Sequence, residues 1–257
     1  MILNLGVDVG GSHIDICKIN KDLEIQILDS FDIHPNYKIK DLFSKIREIL
    51  LNLELLSYEK INIGIALPGI VDTKKNFCIK CPNLKYFKNI DVNKIFVNEI
   101  IKKIGMNNIC LYVVNDANAG VIGVYKKFYN QLKLNNKDIV YIVIGTGIGS
   151  GAIINNKIVL GAEYCAFELG HTKIYYNFKE IKKCGCGAYN CIETFASAKS
   201  LTNLFNKKYH KKYKGLKDII QNEKYHKFSF LFDEFAFYLS LLINNIISVS
   251  YTHLRAH

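Results

Sequence analysis

Apolar and polar positions alternate over residues 3–9, a run that ends in Asp8-Val9-Gly10-Gly11-Ser12. A second apolar run follows at 14–19, and an Asn20-Lys21-Asp22 turn leads into a third at 24–31. Period two over short runs joined by tight turns predicts three strands in an antiparallel meander. The period then changes. Ile39, Leu42, Phe43, Ile46, Ile49, Leu50, Leu53 and Leu56 fall on one face at helical spacing, which predicts a helix over 38–56. A buried strand at 61–67 stops at Pro68-Gly69, a second amphipathic helix is expected over 93–104, and an apolar strand over 109–114. Helix and strand alternating after the meander argue for an α/β domain with a largely parallel portion.

The second half repeats the opening. The strand IVYIVI from residue 139 runs into Gly145-Thr146-Gly147-Ile148-Gly149-Ser150-Gly151, and two further short strands meet at an Asn155-Asn156 turn. A dinucleotide-binding fold needs a helix after its glycines; a hairpin follows here, so that reading is rejected. Two halves with a strand–glycine turn–strand, each followed by helices, predict a duplicated fold whose two turns clasp a polyphosphate. A helix is expected over 192–205, a basic connector over 207–217, and a long apolar helix over 225–248, read as buried rather than membrane-spanning because it contains Asp233, Glu234, Asn244 and Asn245.

Composition changes this picture little. The chain has 257 residues, 49% hydrophobic and 22% charged, enough for one large domain or two small ones. The net charge of +11 comes from dispersed lysines, with arginine only at positions 47 and 255. Without a basic patch interleaved with aromatics, no nucleic-acid partner is expected. The first apolar run starts at Ile2 with no leader before it, and the eight cysteines include a metal-like cluster. A reducing cytoplasm and no membrane partner are therefore expected.

The chemistry concentrates between Glu168 and Glu193. Cys184, Cys186 and Cys191 lie within eight residues, and His171 precedes them by thirteen. Three thiolates and one imidazole complete a tetrahedral structural zinc site. Buried apolar cysteines or a redox cluster are the alternatives, but Gly185 and Gly187 let the backbone turn around a metal. Such a metal would fix Glu168 and Glu193 in space. Upstream, Asn115-Asp116-Ala117-Asn118-Ala119 places a carboxylate at the C-terminal end of a parallel strand, where open α/β sheets put ligand groups. Helix capping is an equal reading of Asp116 from position alone.

These motifs together resemble the ROK family of bacterial sugar kinases and repressors. The resemblance runs from Leu3 to about Ser200 on DVGGS, ALPG, Pro82-Asn83-Leu84, NDANA, GTGIGSG, ELGH and CGCGAYNCIE. It implies a duplicated actin/hexokinase-like (ribonuclease H-like) α/β fold of two domains, 1–115 and 116–248, with a cleft between them. It also implies ATP-dependent phosphorylation of a free hexose or N-acetylhexosamine. Asp116 is then the catalytic base, and Asn83, Asn115, Asp116, Glu168, His171 and Glu193 are sugar ligands. His171, Cys184, Cys186 and Cys191 hold zinc. Asp8, Gly10, Gly11 and Ser12, with Gly145, Thr146, Gly147 and Gly149, form the neighbourhood of the ATP phosphates and Mg²⁺. A homodimer is the implied assembly.

Three positions depart from the family pattern. Phe167 stands where a glycine is usual, beside Glu168 and so beside the sugar. Asn190 replaces the glycine before the last cysteine, a tolerable exchange because asparagine accepts left-handed backbone. His13 replaces a commoner lysine near the phosphates. Cys78 and Cys81 form an extra Cys-x2-Cys with no partner pair near in sequence. The tail 249–257, VSYTHLRAH, reads as non-native, and the second domain as truncated. A repressor of the family would carry an N-terminal helix-turn-helix, whereas this chain opens on a strand, so a kinase is expected first and a non-catalytic sugar-binding regulator second. A zinc hydrolase is disfavoured because four protein ligands leave no position for water.

Overall fold

Alternation in the opening segment gives β1 (Ile2–Val9), β2 (His13–Ile19) and β3 (Ile25–Asp32), paired antiparallel in sequence order. The computed structural model describes residues 1–82, 84–129, 138–174 and 181–255, with side chains as far as Ser248. By their contacts the residues form two units: Met1–Ile139 with Ala152–Ala166, and Val140–Gly151 with Phe167–His257.

In the first unit, β4 (Lys60–Leu67) and β8 (Ile109–Asn115) add to β1 in parallel, completing a sheet of order β3-β2-β1-β4-β8. Leu3, Leu5, Val7 and Val9 of β1 and Ile61, Ile63, Ile65 and Leu67 of β4 all point to one face and are buried. Helix α1 (Ile39–Leu51) supplies Leu42, Phe43, Ile46 and Leu50 to the same core. Each such side chain contributes about 1.5–3 kcal/mol on burial. Helix α2 (Val92–Phe96) and α3 (Lys102–Ile104) are joined by a π-turn over Val97–Ile101. Glu99 of that turn is buried among Arg47, Lys40 and Lys103. A small sheet of β5 (Ile70–Asp72), β6 (Phe77–Lys80) and β7 (Ile90–Asp91) follows β4, and α4 (Asp116–Phe128) follows β8. The contacts keep α4 with this unit, whereas the sequence reading ended the first domain at residue 115.

A three-stranded sheet has the order β11-β10-β9, from β9 (Ile139–Ile144), β10 (Ile148–Ile154) and β11 (Lys157–Ile158). The second unit continues through α5 (Glu193–Ala196), α6 (Ala198–Tyr209), α7 (Leu216–Asn222) and α8 (Tyr225–Arg255). Its cores are Ile148, Ile174, Ile192, Ala196 and Leu242, and a cluster around Leu201, Phe205, Ile219 and Phe228.

Four expected elements differ. Helix α1 stops at Leu51, a turn before the predicted end, because the Asn52 N–H divides between Glu48 O and Ile49 O and a 3₁₀ turn takes Leu55–Ser57. The helix expected over 192–205 is broken at Ser197, which is extended and caps α6 by accepting from the Ser200 N–H. The connector 207–217 is partly helical: α6 runs to Tyr209, His210 turns left-handed, and α7 starts at Leu216. Helix α8 is not the buried helix expected. Phe228, Leu231 and Leu242 are buried, but Phe232, Phe237, Ile243 and Ile247 are 37–56% exposed. An apolar pattern all round a helix shows that it wants partners, not that it has them. By length and composition alone Tyr225–Ser248 could cross a membrane. Asp233 and Glu234 within it oppose that, since an aspartate at the centre of a lipid-spanning helix costs about 2.5–3.5 kcal/mol.

Candidate functional site

Alternation sends Asp8 to the face of β1 opposite Val7 and Val9, where it lies directly across from Asp15 on β2. Asp8 is open to solvent at its surface, yet the protein packed around it raises its carboxyl pKa, and the Asp15 charge adds to this. The Gly10-Gly11-Ser12 turn follows. Its N–H groups are not all free to face an anion, as the sequence suggested: Gly10 N–H donates to His13 O at 2.8 Å. The Ser12 carbonyl accepts from Ile33 N–H.

His13 is tied across the meander. Nδ1 lies 2.8 Å from Asp32 Oδ1, and Nε2 lies 2.9 Å from Ser30 Oγ and 3.3 Å from Asp15 Oδ1. The bond to Asp32 is the main cause of a raised imidazole pKa. A His whose folded pKa is raised adds stability below its unfolded value, about 6.5, and loses it as pH rises through the folded value. The His13 imidazole is therefore expected to titrate above 6.5 by NMR, and Asp32→Asn should bring its midpoint down. An unmoved midpoint would exclude Asp32 as the cause.

At the end of β8 the capping question is resolved. Asn115, not Asp116, is the N-cap of α4: its Oδ1 accepts from Asn118 N–H at 3.0 Å, and its Nδ2 donates to Gly69 O at 2.9 Å. Gly69 has φ +110°, and a Cβ there would stand 2.2 Å from Lys80 O, so only glycine fits. Asp116 is freed from capping; its Oδ1 accepts from Ala117 N–H at 2.8 Å. Burial raises its pKa, and the Asp8 charge contributes in the same direction. Two residues on, Asn118 Oδ1 is buried with no hydrogen-bond partner among the described residues. Asn83, expected to bind sugar, lies outside the described residues.

In the second unit the segment after Glu168 is built around a strained backbone. Phe167 has φ +58°, which costs a bulky residue roughly 1–3 kcal/mol. Ser150 holds it: Ser150 Oγ donates to Phe167 O and accepts from Leu169 N–H at 3.0 Å. Exposed Glu168 then opens the 3₁₀ turn Leu169–His171. Gly170 passes so close to β10 that a Cβ would meet Ile148 O at 2.1 Å.

A bridge between Lys173 and Cys191, flanked by Ile174 N–H to Asn190 O and Ile192 N–H to Thr172 O, lays the His171 segment beside the cysteine loop. Gly187 (φ +96°) and Asn190 (φ +55°) make the loop's left-handed turns. The four ligand atoms of His171, Cys184, Cys186 and Cys191 lie within 4.8 Å of one another. Cys186 Sγ and Cys191 Sγ are 3.7 Å apart, and Cys184 Sγ is 3.6 Å from His171 Nδ1. A tetrahedron with Zn–S near 2.3 Å and Zn–N near 2.0–2.1 Å has edges of roughly 3.8 Å and 3.6 Å for these pairs. The cluster thus fits zinc in donor set and in size. Lys173, which sequence reading missed, places Nζ 2.8 Å from Cys191 Sγ, and that bond raises the lysine pKa. The bridge that brings it there pairs positions 18 residues apart, and nothing in the local pattern announces it. Cys78, in the extra Cys-x2-Cys, donates its thiol to Phe87 O at 2.7 Å, and burial pushes its pKa up to about 12.

Glu193 joins this cluster. Oε1 accepts from the Cys184 thiol at 2.9 Å and lies 3.6 Å from His171 Nδ1. Oε2 accepts from Ile148 N–H at 3.4 Å. Gly145, Thr146 and Gly147 form the turn between β9 and β10, and Gly149 lies in β10. Within the turn Gly145 N–H donates to Gly147 O, and Gly145 O accepts from Ala198 N–H, both at 2.9 Å.

Over 251 residues the chain is 32% identical to a xylose repressor from Bacillus spizizenii, covering 95% of this chain and 61% of that protein. It is 28% identical over 209 residues to a glucokinase from Thermotoga maritima, covering 80% of this chain and 62% of that one. A solved ROK family glucokinase from Streptomyces griseus, in complex with glucose and AMPPNP, superposes with a TM-score of 0.69 at 23% identity, covering 96% of this chain and 80% of that chain. The chain therefore spans about half to three-fifths of the length of the curated relatives it matches. The relatives include repressors and kinases alike, so the opening strand does not separate these activities. The fold is the mixed α/β fold of the actin/hexokinase-like proteins. The ROK family model matches residues 4–253, nearly the whole of the sequence, and the chain belongs to the ROK family.

Proposed function

We propose that this chain carries the catalytic machinery of an ATP-dependent kinase for a free hexose or N-acetylhexosamine. The observation that carries the reading is Asp116. It is a carboxylate at the end of a parallel strand, open to solvent at its surface, released from capping by Asn115 and raised in pKa by the protein packed around it and by the Asp8 charge. A general base works best when its pKa approaches the working pH, and burial is the usual means of moving a carboxylate that way. In this reading Asp116 accepts the proton of the attacking sugar hydroxyl. Asn83, Asn115, Glu168, His171 and Glu193 orient the sugar, with His171 keeping Nε2 for it while Nδ1 faces the zinc cluster.

Phosphoryl transfer asks little covalent chemistry of a protein; positioning and charge stabilisation dominate. Asp8, Gly10, Gly11 and Ser12, with Gly145, Thr146, Gly147 and Gly149, are proposed to lie around the ATP phosphates. Asp8 and Asp15 face each other as like charges, a carboxylate environment suited to a hard cation. Mg²⁺ bound there would neutralise charge developing on the transferred group. Zinc at the cysteine cluster is structural, since four protein ligands leave it no open position.

A second reading is a sugar-binding regulator, supported by the 32% identity to a xylose repressor across 95% of the chain. One experiment separates the two: sugar-dependent ADP release beside calorimetric sugar binding, with glucose, fructose, mannose, allose, N-acetylglucosamine, N-acetylmannosamine and xylose. Turnover with any sugar supports the kinase. Binding heat without ADP release supports the regulator, and neither signal in zinc-loaded protein would count against both.

A further inference from the structure

Lys173 and Cys191 face each other across the antiparallel bridge that lays the His171 segment beside the cysteine loop. Residues paired in this way keep their Cβ atoms about 4.5–5.5 Å apart on one face. Ile174 N–H to Asn190 O and Ile192 N–H to Thr172 O, both 2.9 Å, hold the register on either side. The backbone itself therefore brings the two side chains together, without waiting for a metal. Lys173 Nζ reaches to 2.8 Å from Cys191 Sγ. Cys191 is fully buried while Lys173 keeps access to solvent, so the ammonium comes to the sulfur from the outer side of the cluster.

This contact is compatible with an occupied site. A thiolate bound to a metal keeps lone pairs that accept hydrogen bonds, so Cys191 can serve the metal and Lys173 together. The bond from Cys184 to Glu193 Oε1 is different, because a coordinating thiol gives up the proton it donates there. The charges then matter. Three thiolates and a neutral imidazole around Zn²⁺ leave one excess negative charge, and the Glu193 carboxylate beside Cys184 and His171 adds to it.

We propose that Lys173 is an outer positioning residue of the metal site, whose ammonium donates to the Cys191 thiolate and offsets the surplus negative charge of the three-thiolate set. A charge-assisted bond to sulfur draws electron density from the thiolate and fixes the orientation of its side chain. Metal is thereby retained more tightly, and Cys191 becomes a weaker electron donor to it than Cys184 or Cys186. Groups one step outside the ligands commonly act in this way, and their loss lowers metal affinity by about 10–100-fold.

The inference rests on the zinc reading of the cluster and not on the kinase reading. Wild type, Lys173→Met and Lys173→Arg test it. Methionine keeps much of the apolar stem without the charge, and arginine keeps a cationic donor. Zinc affinity is read by competition with a chromophoric chelator. Lys173→Met is expected to bind zinc about 10-fold more weakly, the low end of the range for outer partners because the ammonium is open to solvent. Lys173→Arg should recover most of that loss. Cobalt put in place of zinc supplies a readout that loop packing alone would not move. The thiolate-to-cobalt charge-transfer band should shift to lower energy in Lys173→Met, where the thiolate is no longer polarised, and stay near its wild-type position in Lys173→Arg. Equal zinc affinity in wild type and Lys173→Met would overturn the proposal. So would weaker binding with an unmoved cobalt band and no rescue by arginine, since that pattern belongs to a merely structural side chain. A wild-type chain that takes up no zinc by elemental analysis would remove the zinc reading and this proposal with it. Tight zinc binding that is indifferent to residue 173 would remove the proposal alone.

Discussion

Replacing Asp116 with asparagine is expected to lower sugar-dependent turnover by roughly 10²–10⁴-fold, the usual contribution of a general base, while leaving the fold intact. Asparagine has the same shape and keeps an oxygen to accept the Ala117 N–H, so the start of α4 survives. The capping that matters belongs to Asn115 and is untouched. What is lost is the ability to take a proton. Asp116 has a raised pKa, so the folded state binds its proton more readily than the unfolded chain does. Its ionisation costs stability as pH rises through the folded value. Removing the charge is therefore expected to leave the melting temperature equal or higher at neutral pH. In the wild type the acid limb of the rate profile should fall above the ordinary aspartate value of about 3.9. Rates and melting curves of wild type and Asp116→Asn check all three points. Near-wild-type turnover in the variant would remove Asp116 from the mechanism.

The second large effect is expected from metal removal. Elemental analysis should find about one zinc per chain, since His171, Cys184, Cys186 and Cys191 form a closed set already spaced for it. Structural zinc contributes roughly 10–16 kcal/mol of apparent binding energy in small zinc peptides. Even a third of that, about 3–5 kcal/mol, corresponds to roughly 10 °C of melting temperature in a domain of this size. Cys191→Ser should show the larger loss, because Cys191 is fully buried and also accepts from Lys173. Cys186→Ser, at an exposed position, should show the smaller. A chelated protein that melts at the same temperature as the zinc-loaded one would refute a structural metal.

Local pattern and particular residues explain how far the sequence could be read. The five strands of the first sheet were legible because alternation over β1, β4 and β8 records one buried face directly. The candidate metal cluster was legible because three of its four residues are close in sequence and their spacing is a property of the loop. At Asn190, where the resembled family usually has glycine, asparagine was expected to tolerate left-handed backbone, and φ +55° agrees. Asp116 was ambiguous because two adjacent residues, Asn115 and Asp116, are both good caps; only the geometry of β8 entering α4 shows which one caps. Lys173 and the double contact of Glu193 were illegible, since each depends on chain segments brought together from 18 and 45 residues apart.

By itself, then, the sequence determined most of the elements, the face each strand buries, the four residues that gather as a candidate metal cluster and the family. Those follow from periodicity and from short-range spacing, which the chain carries wherever it goes. Tertiary structure alone decided which N–H groups of the glycine turns are already taken. It also released Asp116 from capping, left α8 largely exposed, and made Glu193 a shared neighbour of the metal cluster and the Gly145–Gly149 turn. The reason is physical: a hydrogen bond or a buried contact is a property of two groups at one place. A linear pattern fixes what each group can do, and packing fixes which partner it meets.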